Sequence, residues 1–448
     1  MKTYEENAKA RIASCPDCFC AAPCANTGQR ACKSQCKGSG QEGCLYIAIG
    51  WVVPRREAWN INAGLSVWCF MPKKLIGVLC LIQLCIPTPH LVAQLTTEDS
   101  LRKELTKHAE PLHGSGEALL LKEAQANQYF LLGELHGQVE IPELLSDLWP
   151  SLWQDRYRHV AAEVSPWAAT HLQQSVADDP TPVVGLWTRA QASVVEQFAS
   201  PGQSVLWGCD IEEEQPDQLI RHMAQLNPDD SSLNGMVALL SSGYSRKQAP
   251  ALLRLAESVH PANDVRVGGE SLWKSTLDTL RVENLRSDPH TRYAASDARE
   301  RVMKELFLTH FKQEPEGKVL LRFGRNHLHR GYDARGISTL GNFVSEWALA
   351  QGHSVFNVGV FAAGGKEYLA GKTFDADERQ DELTFALLAI LAGKEPTLFD
   401  LHTLRPILHS IPPEKRTVLE VNLIYWADSY DFLLCYPTVS PLRDSIHP

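Results

Sequence analysis

The chain has 448 residues, a formal net charge of −10 and 44% hydrophobic residues. This length is enough for one large domain or two ordinary ones, with a sizeable hydrophobic core. A general nucleic-acid-binding surface is usually basic, and the body of this acidic chain has no basic stripe. We therefore expect no nucleic-acid partner.

The cysteines divide the sequence into two parts of different character. Ten of the twelve precede residue 86, and only Cys209 and Cys435 follow. Residues 1–70 contain Cys15 and Cys18, a spacing found in zinc sites, but no second cleanly spaced pair accompanies them. We interpret residues 1–70 as a cysteine-rich extension upstream of a misassigned start, and a metal or disulfide module is the alternative.

Residues 71–93 have the pattern of a secretory signal peptide. Lys73 and Lys74 follow Met71, and the 12-residue apolar run LIGVLCLIQLCI leads to a predicted cleavage after Ala93. The run is shorter than the roughly 20 residues that a membrane-spanning helix needs. The sequence therefore predicts an exported protein, periplasmic or secreted, with no stable membrane span after cleavage.

The remaining residues, 94–448, carry 33 Lys or Arg and 48 Asp or Glu, a net charge of −15. This charge suits a soluble exported protein and repels anionic membranes. In an oxidising compartment Cys209 and Cys435 are candidates for one disulfide bond. Alternatively, Cys209 is a small buried hydrophobic residue, since it ends an apolar run.

Short apolar runs alternate with segments of helical periodicity after a polar, mostly helical stretch at 94–127. Strands are predicted at 129–132, 160–162, 204–208, 318–323, 354–360 and 429–436, and helices at 142–153, from Pro166 and at 342–350. Leucines recur at helical spacing without a strand signal at about 216–311. The pattern predicts an α/β fold, a mostly parallel sheet with flanking helices and a large helical insertion.

The first strand ends at ionisable residues. In open α/β sheets, ligands bind beyond the carboxyl ends of the strands. Glu134 and His136 follow the strand two residues apart, and they share one face if the strand continues. A carboxylate beside a histidine makes it a good general base, and Glu140 is placed to face the same opening. The alternative is a solvated pair in a strand-to-helix turn.

Two further acidic residues follow predicted strands. Glu163 ends the apolar run at 160–162, where a carboxyl group needs a partner or water. It either orients a histidine, binds a metal or positions water, or it makes a local cap or salt bridge. Asp210 follows the strand at 204–208 and either supports the site or caps the next turn.

The densest polar cluster, GRNHLHRG, follows the strand at 318–323. His327 and His329 can share one face, and His-x-His is also a weak metal-ligand pattern. Arg325 and Arg330 are candidates to bind an anionic group or to stabilise an oxyanion. The alternative is a basic surface loop.

At these residues the chain resembles the erythromycin esterase family. This family lies in a wider superfamily with the Tiki proteases and a haem-binding iron-uptake family. The matching segments span nearly all of the chain after the signal peptide, in the expected order. They are Gly133–Gly137, Ala162–Val164, Gly208–Asp210, Arg299–Met303, Phe323–His327 and Tyr430–Leu434.

The resemblance implies an α/β core in which His136 is the general base for water, with Glu163 and His327 completing the pocket. The esterases typically show His-Asn-x-His at the third histidine, whereas this chain has RNHLH at 325–329. The departure leaves open which histidine is equivalent and whether a macrolide is the substrate. We favour His327, with His329 second.

We therefore predict an exported hydrolase that attacks an ester, lactone or amide of a small-molecule substrate with activated water. His136 takes the proton, and Glu163 and Glu134 orient the groups and balance charge. His327 or Arg325 stabilises the developing oxyanion. An esterase of this kind needs no cofactor.

The alternative prediction comes from the same superfamily, whose members divide between metal-free esterases and metal- or haem-binding proteins. In it, His136, His327 and His329 bind haem or a divalent metal in an envelope protein or a metal-dependent, protease-like hydrolase. A degenerate pocket that binds nothing is a third interpretation. The acids and histidines that the chain retains argue against it.

Overall fold

The computed structural model describes residues 99–174, 187–200, 203–315, 317–369, 371–380 and 382–442. The predicted N-terminal extension and signal peptide, at residues 1–93, lie outside these ranges. Within them, no helix combines the length and the apolar character that crossing a membrane requires.

An eight-stranded sheet forms the centre of the described fold. Its strand order is β1-β11-β12-β8-β2-β7-β3-β4, and a two-stranded hairpin, β9–β10, follows β8. The bounds are β1 Ala109–Pro111, β2 Tyr129–Glu134, β3 Tyr157–Ala162, β4 Leu206–Gly208, β5 Arg266–Val267, β6 Glu270–Ser271, β7 Lys318–Gly324, β8 Val355–Ala362, β9 Lys366–Leu369, β10 Lys372–Asp375, β11 Thr397–Asp400 and β12 Phe432–Tyr436.

Helices pack on both faces of the sheet. They are α1 (residues 99–107), α2 Glu117–Ala126, α3 Glu140–Gln154, α4 Pro166–Gln174, α5 Arg189–Glu196, α6 Pro216–Leu226, α7 Ser231–Leu239, α8 Ala249–Ala256, α9 Leu272–Ser287, α10 Arg292–Gln313, α11 Leu340–Ala350, α12 Leu383–Ala392, α13 Arg405–Ser410 and α14 Val418–Ser429. A β5–β6 hairpin lies between α8 and α9. The helices α6 to α9 pack together in a separate hydrophobic cluster.

The direction of the strands confirms the predicted α/β class. The neighbours from β12 to β4 are all parallel, whereas β11 runs antiparallel to both β12 and β1. All six residues of β2 are buried, as expected for a central strand with helices on both faces. The parallel strands therefore direct their carboxyl ends toward one edge of the sheet.

Several elements differ from the predicted ones. The short strands β1, β9, β10 and β11 carry little apolar signal, and the hairpin β5–β6 interrupts the stretch in which no strand was predicted. The late strand begins at Phe432, because residues up to Ser429 complete α14. Of the two alternatives for Cys209, the disulfide bond with Cys435 is wrong and the buried small residue is confirmed, since both cysteines are buried free thiols.

Candidate functional site

Three neighbouring strands bring the predicted acids and histidines together at the carboxyl edge. In the sheet, β7 lies between β2 and β3. Glu134 is paired with Gly324 across β2 and β7, and Glu163 directly follows the end of β3. Segments nearly 200 residues apart in sequence therefore meet at one point, which we call the carboxyl-edge cluster: Glu134, His136, Glu163, Arg299, Glu300, Gly324 and His327.

His136 is held by one carboxylate and faces another. Its Nδ1 lies 3.2 Å from Glu134 Oε1, within hydrogen-bonding distance. Its Nε2 lies 3.6 Å from Glu163 Oε2, beyond the usual range of a hydrogen bond. The side chain is 25% exposed, whereas those of Glu134 and Glu163 are almost fully buried. Nε2 is therefore the ring nitrogen that is placed for proton transfer.

A buried arginine supports Glu134 from inside the fold. Arg322 on β7 donates from Nε to Glu134 Oε2 at 2.5 Å, and its Nη1 lies 3.3 Å from Gln191 Oε1. Its guanidinium also lies 4.5 Å from the ring centre of Trp187. Arg322 therefore pairs with one oxygen of Glu134, and the other oxygen fixes the orientation of the His136 ring.

Two carboxylates determine the charge of His136. Burial alone would lower the pKa of His136, because it disfavours the charged ring. The negative charges of Glu163 and Glu134 outweigh burial, and the pKa is raised above its ordinary value. The neutral form that accepts a proton therefore predominates only at a pH above this raised value.

Glu163 is surrounded by donors. Its Oε2 accepts from the Gly324 N–H at 2.6 Å, and its Oε1 accepts from Arg299 Nη2 at 2.8 Å. His327 Nε2 lies 3.3 Å from Oε1. Burial raises the pKa of Glu163, but His327, His136 and Arg299 together hold it well below the ordinary value. Glu163 is therefore a fixed anion and a poor proton acceptor.

His327 lies between two buried carboxylates. Its Nδ1 is 2.5 Å from Glu300 Oε1, and its Nε2 faces Glu163. Burial opposes the charged ring, but Glu163 and Glu300 raise the pKa of His327 to about 10. The backbone N–H of Leu340, at the start of α11, donates to the other Glu300 oxygen at 2.7 Å. His327 is therefore an imidazolium at neutral pH, with both nitrogens engaged.

Arg299 connects Glu163 to Asp210. Its Nε donates to Asp210 Oδ1 at 3.0 Å, and its Nη2 contacts Glu163, Asp210 and Glu213. Burial raises the pKa of Asp210 despite the opposing charge of Arg299. Among the described residues, Nη1 is the nitrogen of this guanidinium without a hydrogen-bonded partner. The Arg299 side chain is 13% exposed to solvent.

Gly324 leaves the space that the His136 ring occupies. A Cβ at this position would lie 2.7 Å from His136 Nε2 and 3.1 Å from Glu163 Oε2. Real Cβ atoms essentially never come as close as the first of these distances. A side chain at this position would therefore displace the His136 ring.

Other predicted residues lie outside the carboxyl-edge cluster, and one of them, Arg330, is paired with Asp431. Arg325 donates to the Val360 carbonyl and to Glu378, both at 2.6 Å. Glu140 accepts from the backbone N–H of Ser440 at 2.8 Å. Among the described residues, the partners of both side chains therefore lie outside the cluster around His136.

His329 is also separate from the cluster. It is 1% exposed, and its Nδ1 lies 3.0 Å from Ser429 Oγ. Its ring packs against Tyr425, Trp426 and Tyr430. The chain turns into a short 3-10 segment after β7, so His327 and His329 do not share a face as an extended chain would allow.

Sequence reasoning missed several residues that hold the site in place. Glu300 and Arg299 were seen only as part of a matching segment, and Arg322 and Glu213 were not assigned. An arginine inside the apolar run of β7 was the available signal for Arg322, because a buried guanidinium needs an anionic partner. The charges of α10 gave no such signal, since charged residues are usual on an exposed helix face.

The arrangement of the three histidines does not fit a shared haem or metal site. Both nitrogens of His327 face carboxylates, and His329 is enclosed by aromatic rings next to Ser429. Within the described ranges, no group of three or more His, Cys, Asp or Glu residues has the geometry to hold a metal ion. The ligand set predicted from the sequence is therefore not assembled by this fold.

Comparison with known proteins shows similarity at the level of structure. No family model and no curated protein matches the chain. A succinoglycan biosynthesis protein has a TM-score of 0.52 and 15% identity, and a Bacillus cereus protein has 0.50 and 13%. Both alignments cover 78% of this chain and 99% of the other. An erythromycin esterase, EreC, in its open conformation has 0.49 and 13%, covering 72% of this chain and 93% of its own.

Proposed function

We propose that this protein is an exported hydrolase that cleaves an ester, lactone or amide bond with water activated by His136. The observation that carries the proposal is the position of the His136 ring. Nδ1 is fixed by Glu134, whereas Nε2 points into a partly exposed site, 3.6 Å from Glu163 Oε2 and without a hydrogen-bonded partner among the described residues. The resemblance to erythromycin esterases favours an ester or a lactone.

The reaction begins with neutral His136. Its Nε2 takes a proton from water, and the hydroxide adds to the carbonyl carbon of the substrate. The tetrahedral intermediate then loses its alcohol, and the proton on Nε2 passes to the leaving oxygen. The products are a carboxylic acid and an alcohol, and His136 returns to its neutral form.

The cations of the cluster stabilise the negative charge that develops on the carbonyl oxygen of the substrate. Arg299 Nη1 is the donor that we assign to this oxyanion, since its other nitrogens hold Asp210, Glu163 and Glu213. The imidazolium of His327 adds positive charge nearby but offers no free N–H. Preorganised donors of this kind lower the activation barrier by roughly 3–4 kcal/mol in characterised hydrolases.

The test is hydrolysis of a panel of esters and lactones by the wild type and by His136→Asn. We expect the substitution to reduce kcat/KM by at least about 100-fold, the usual contribution of a general base. His409→Asn, a 47% exposed histidine on α13, is the matched control. Wild-type turnover in a folded His136→Asn protein would refute the assignment.

Export is a separate part of the proposal and has its own test. The sequence pattern at residues 71–93 is its support. Mass spectrometry of protein recovered from the source cells should find a mature chain that begins at residue 94. A full-length chain inside the cell would contradict both the cleavage and the exported location.

A further inference from the structure

An open cavity lies at the edge of the sheet opposite the carboxyl-edge cluster, where the strands β3, β4 and β7 begin. Its volume is about 820 Å³, within the range of pockets that bind small molecules. The lining includes six polar side chains, which are Arg156, Arg158, His159, Gln203, Gln313 and Glu314. The cavity therefore suits a hydrophilic ligand.

Arg156 stands where a glycine is usual. It follows Asp155, the C-cap of α3, and its φ of +71° lies in the left-handed region. Helices commonly end in this conformation, with a glycine because a Cβ atom makes it less favourable. Among the described residues, Arg156 is the one other than glycine with a positive φ. Residues held in such a conformation cluster at ligand-binding sites, so the position indicates a role for the guanidinium.

A β-bulge places Arg158 at the same cavity. The register of β3 against β7 shifts between Tyr157 and His159, so Arg158 is the extra residue. Its Nη1 donates to the Trp153 carbonyl at 2.7 Å, and its guanidinium lies 4.6 Å from the centre of the Trp153 ring. A Cβ at Gly317 would lie 2.8 Å from Arg158 Cγ. The guanidinium is therefore fixed, while Nε and Nη2 have no hydrogen-bonded partner among the described residues.

The positive charge of the cavity is not balanced by its carboxylate. Glu314 Oε2 lies 3.2 Å from Nδ1 of His159, which is the ion-pair contact that this carboxylate makes. Within the described part of the chain, no carboxylate lies within ion-pair distance of Arg156 or Arg158. Two guanidiniums at one cavity attract an anion, and their fork of N–H donors matches the oxygens of a phosphate group.

We propose that this cavity binds a phosphorylated sugar or polyol, with Arg156 and Arg158 on its phosphate group. Gln203, Gln313 and Glu314 supply amide and carboxylate groups that hydrogen-bond to the hydroxyls of the ligand. The site is at the opposite edge of the sheet from His136, so the inference does not depend on the proposed hydrolase function.

Calorimetric titration of glucose 6-phosphate into the full chain, at constant ionic strength, tests the inference. We expect glucose 6-phosphate to bind and glucose to show no detectable binding. Arg156→Gly should weaken the binding of glucose 6-phosphate by at least about tenfold, because a hydrogen bond to a charged group contributes about that much. The same substitution should leave Tm unchanged or higher, since glycine adopts the left-handed conformation without strain.

Two further variants separate recognition of the phosphate from a general effect of charge. Arg158→Lys keeps the positive charge but loses the fork of donors, so it should also weaken binding. Arg301→Gln, which removes a 70% exposed arginine from α10, should bind glucose 6-phosphate as tightly as the wild type. No binding by the wild type, or equal affinity in the wild type and Arg156→Gly, would overturn the inference. Inorganic phosphate that binds as tightly as glucose 6-phosphate would overturn the assignment of a sugar.

Discussion

His327 and His329 are two residues apart in sequence and both are buried, yet the fold gives them opposite properties. Two carboxylates, Glu163 and Glu300, surround His327 and raise its pKa to about 10. His329 is buried beside Ser429 and aromatic rings, and burial and then the charge of Arg325 lower its pKa to about 3. The His-x-His pattern is therefore one charged residue of the site and one neutral residue of the core.

Two glycines near these histidines also differ in what an added Cβ would meet. A Cβ at Gly324 would meet the His136 and Glu163 side chains, whereas a Cβ at Gly341 would lie 2.4 Å from the backbone of Leu328. Gly324 leaves room for the His136 and Glu163 side chains of the proposed site. Gly341 allows α11 to pack closely against the chain that leads to His329.

Gly324→Ala and Gly341→Ala should separate these two roles most strongly. We expect Gly324→Ala to lower kcat/KM by about 100-fold with little change in Tm, because a misplaced catalytic group costs about that much. Gly341→Ala should lower the free energy of unfolding by about 1–3 kcal/mol, since overpacking strains the backbone. Activity assays and thermal melts distinguish the outcomes.

Gly235→Ala on α7 is the control for both substitutions. Its Cβ would meet only a Leu255 methyl group, at 3.7 Å. It should leave activity unchanged and stability unchanged or slightly higher, because alanine favours a helix more than glycine does. Full activity in Gly324→Ala would contradict the geometry of the carboxyl-edge cluster.

Glu300→Gln should lower the pKa of His327 while keeping a side chain that can hydrogen-bond to it. The loss of one carboxylate lowers the pKa of His327, and each unit corresponds to about 1.4 kcal/mol. We expect a decrease of at least about one unit, measured by NMR. The pKa of His329 should not change, and an equal shift at both histidines would break the comparison.

The stability of the protein should depend on pH in opposite directions through the two histidines. His327 has a raised pKa, so its contribution is complete below about pH 6.5 and is lost as pH rises toward about 10. His329 has a lowered pKa, so its contribution is complete above about pH 6.5 and is lost as pH falls toward about 3.

Urea unfolding across this pH range measures both effects. Glu163 also contributes to the loss of stability at acidic pH. Its pKa is lowered in the folded protein, so its contribution is complete above the ordinary pKa of a glutamate and is lost as pH falls through the lowered pKa. His329→Gln should reduce the slope between about pH 3 and 6.5 while retaining the alkaline slope. An unchanged acidic slope would contradict the neutral state of buried His329.

The smallest expected effect concerns the thiols. Cys209 and Cys435 are unpaired, and burial raises the pKa of each thiol. A reducing agent should therefore leave Tm and activity unchanged. A decrease in Tm on reduction would show that the described part of the chain is held by a disulfide after all.

The sequence was most informative where buried strands end. Glu134, His136 and Glu163 follow unbroken apolar runs, and the parallel sheet brings such ends together whatever their separation along the chain. The strands β1 and β11 were missed because short antiparallel strands have weak apolar patterns. Propensity could therefore predict the α/β class but not the full strand order.

The partners of the site residues could not be read from sequence. Arg299 and Glu300 are adjacent on α10, and only the packing of that helix against the sheet directs one to Glu163 and the other to His327. His329 was assigned to the site because spacing suggested a shared face. The turn after β7 and the aromatic residues of α14 give it a different environment.

The most direct test of the account is an NMR titration of the histidine rings in the folded protein. We predict that His136 titrates above its ordinary pKa of 6.5, that His327 stays protonated until about pH 10, and that His329 stays neutral down to about pH 3. Similar titration of His327 and His329 near pH 6.5 would contradict it. It would mean that the two carboxylates do not hold the imidazolium on which the proposed site depends.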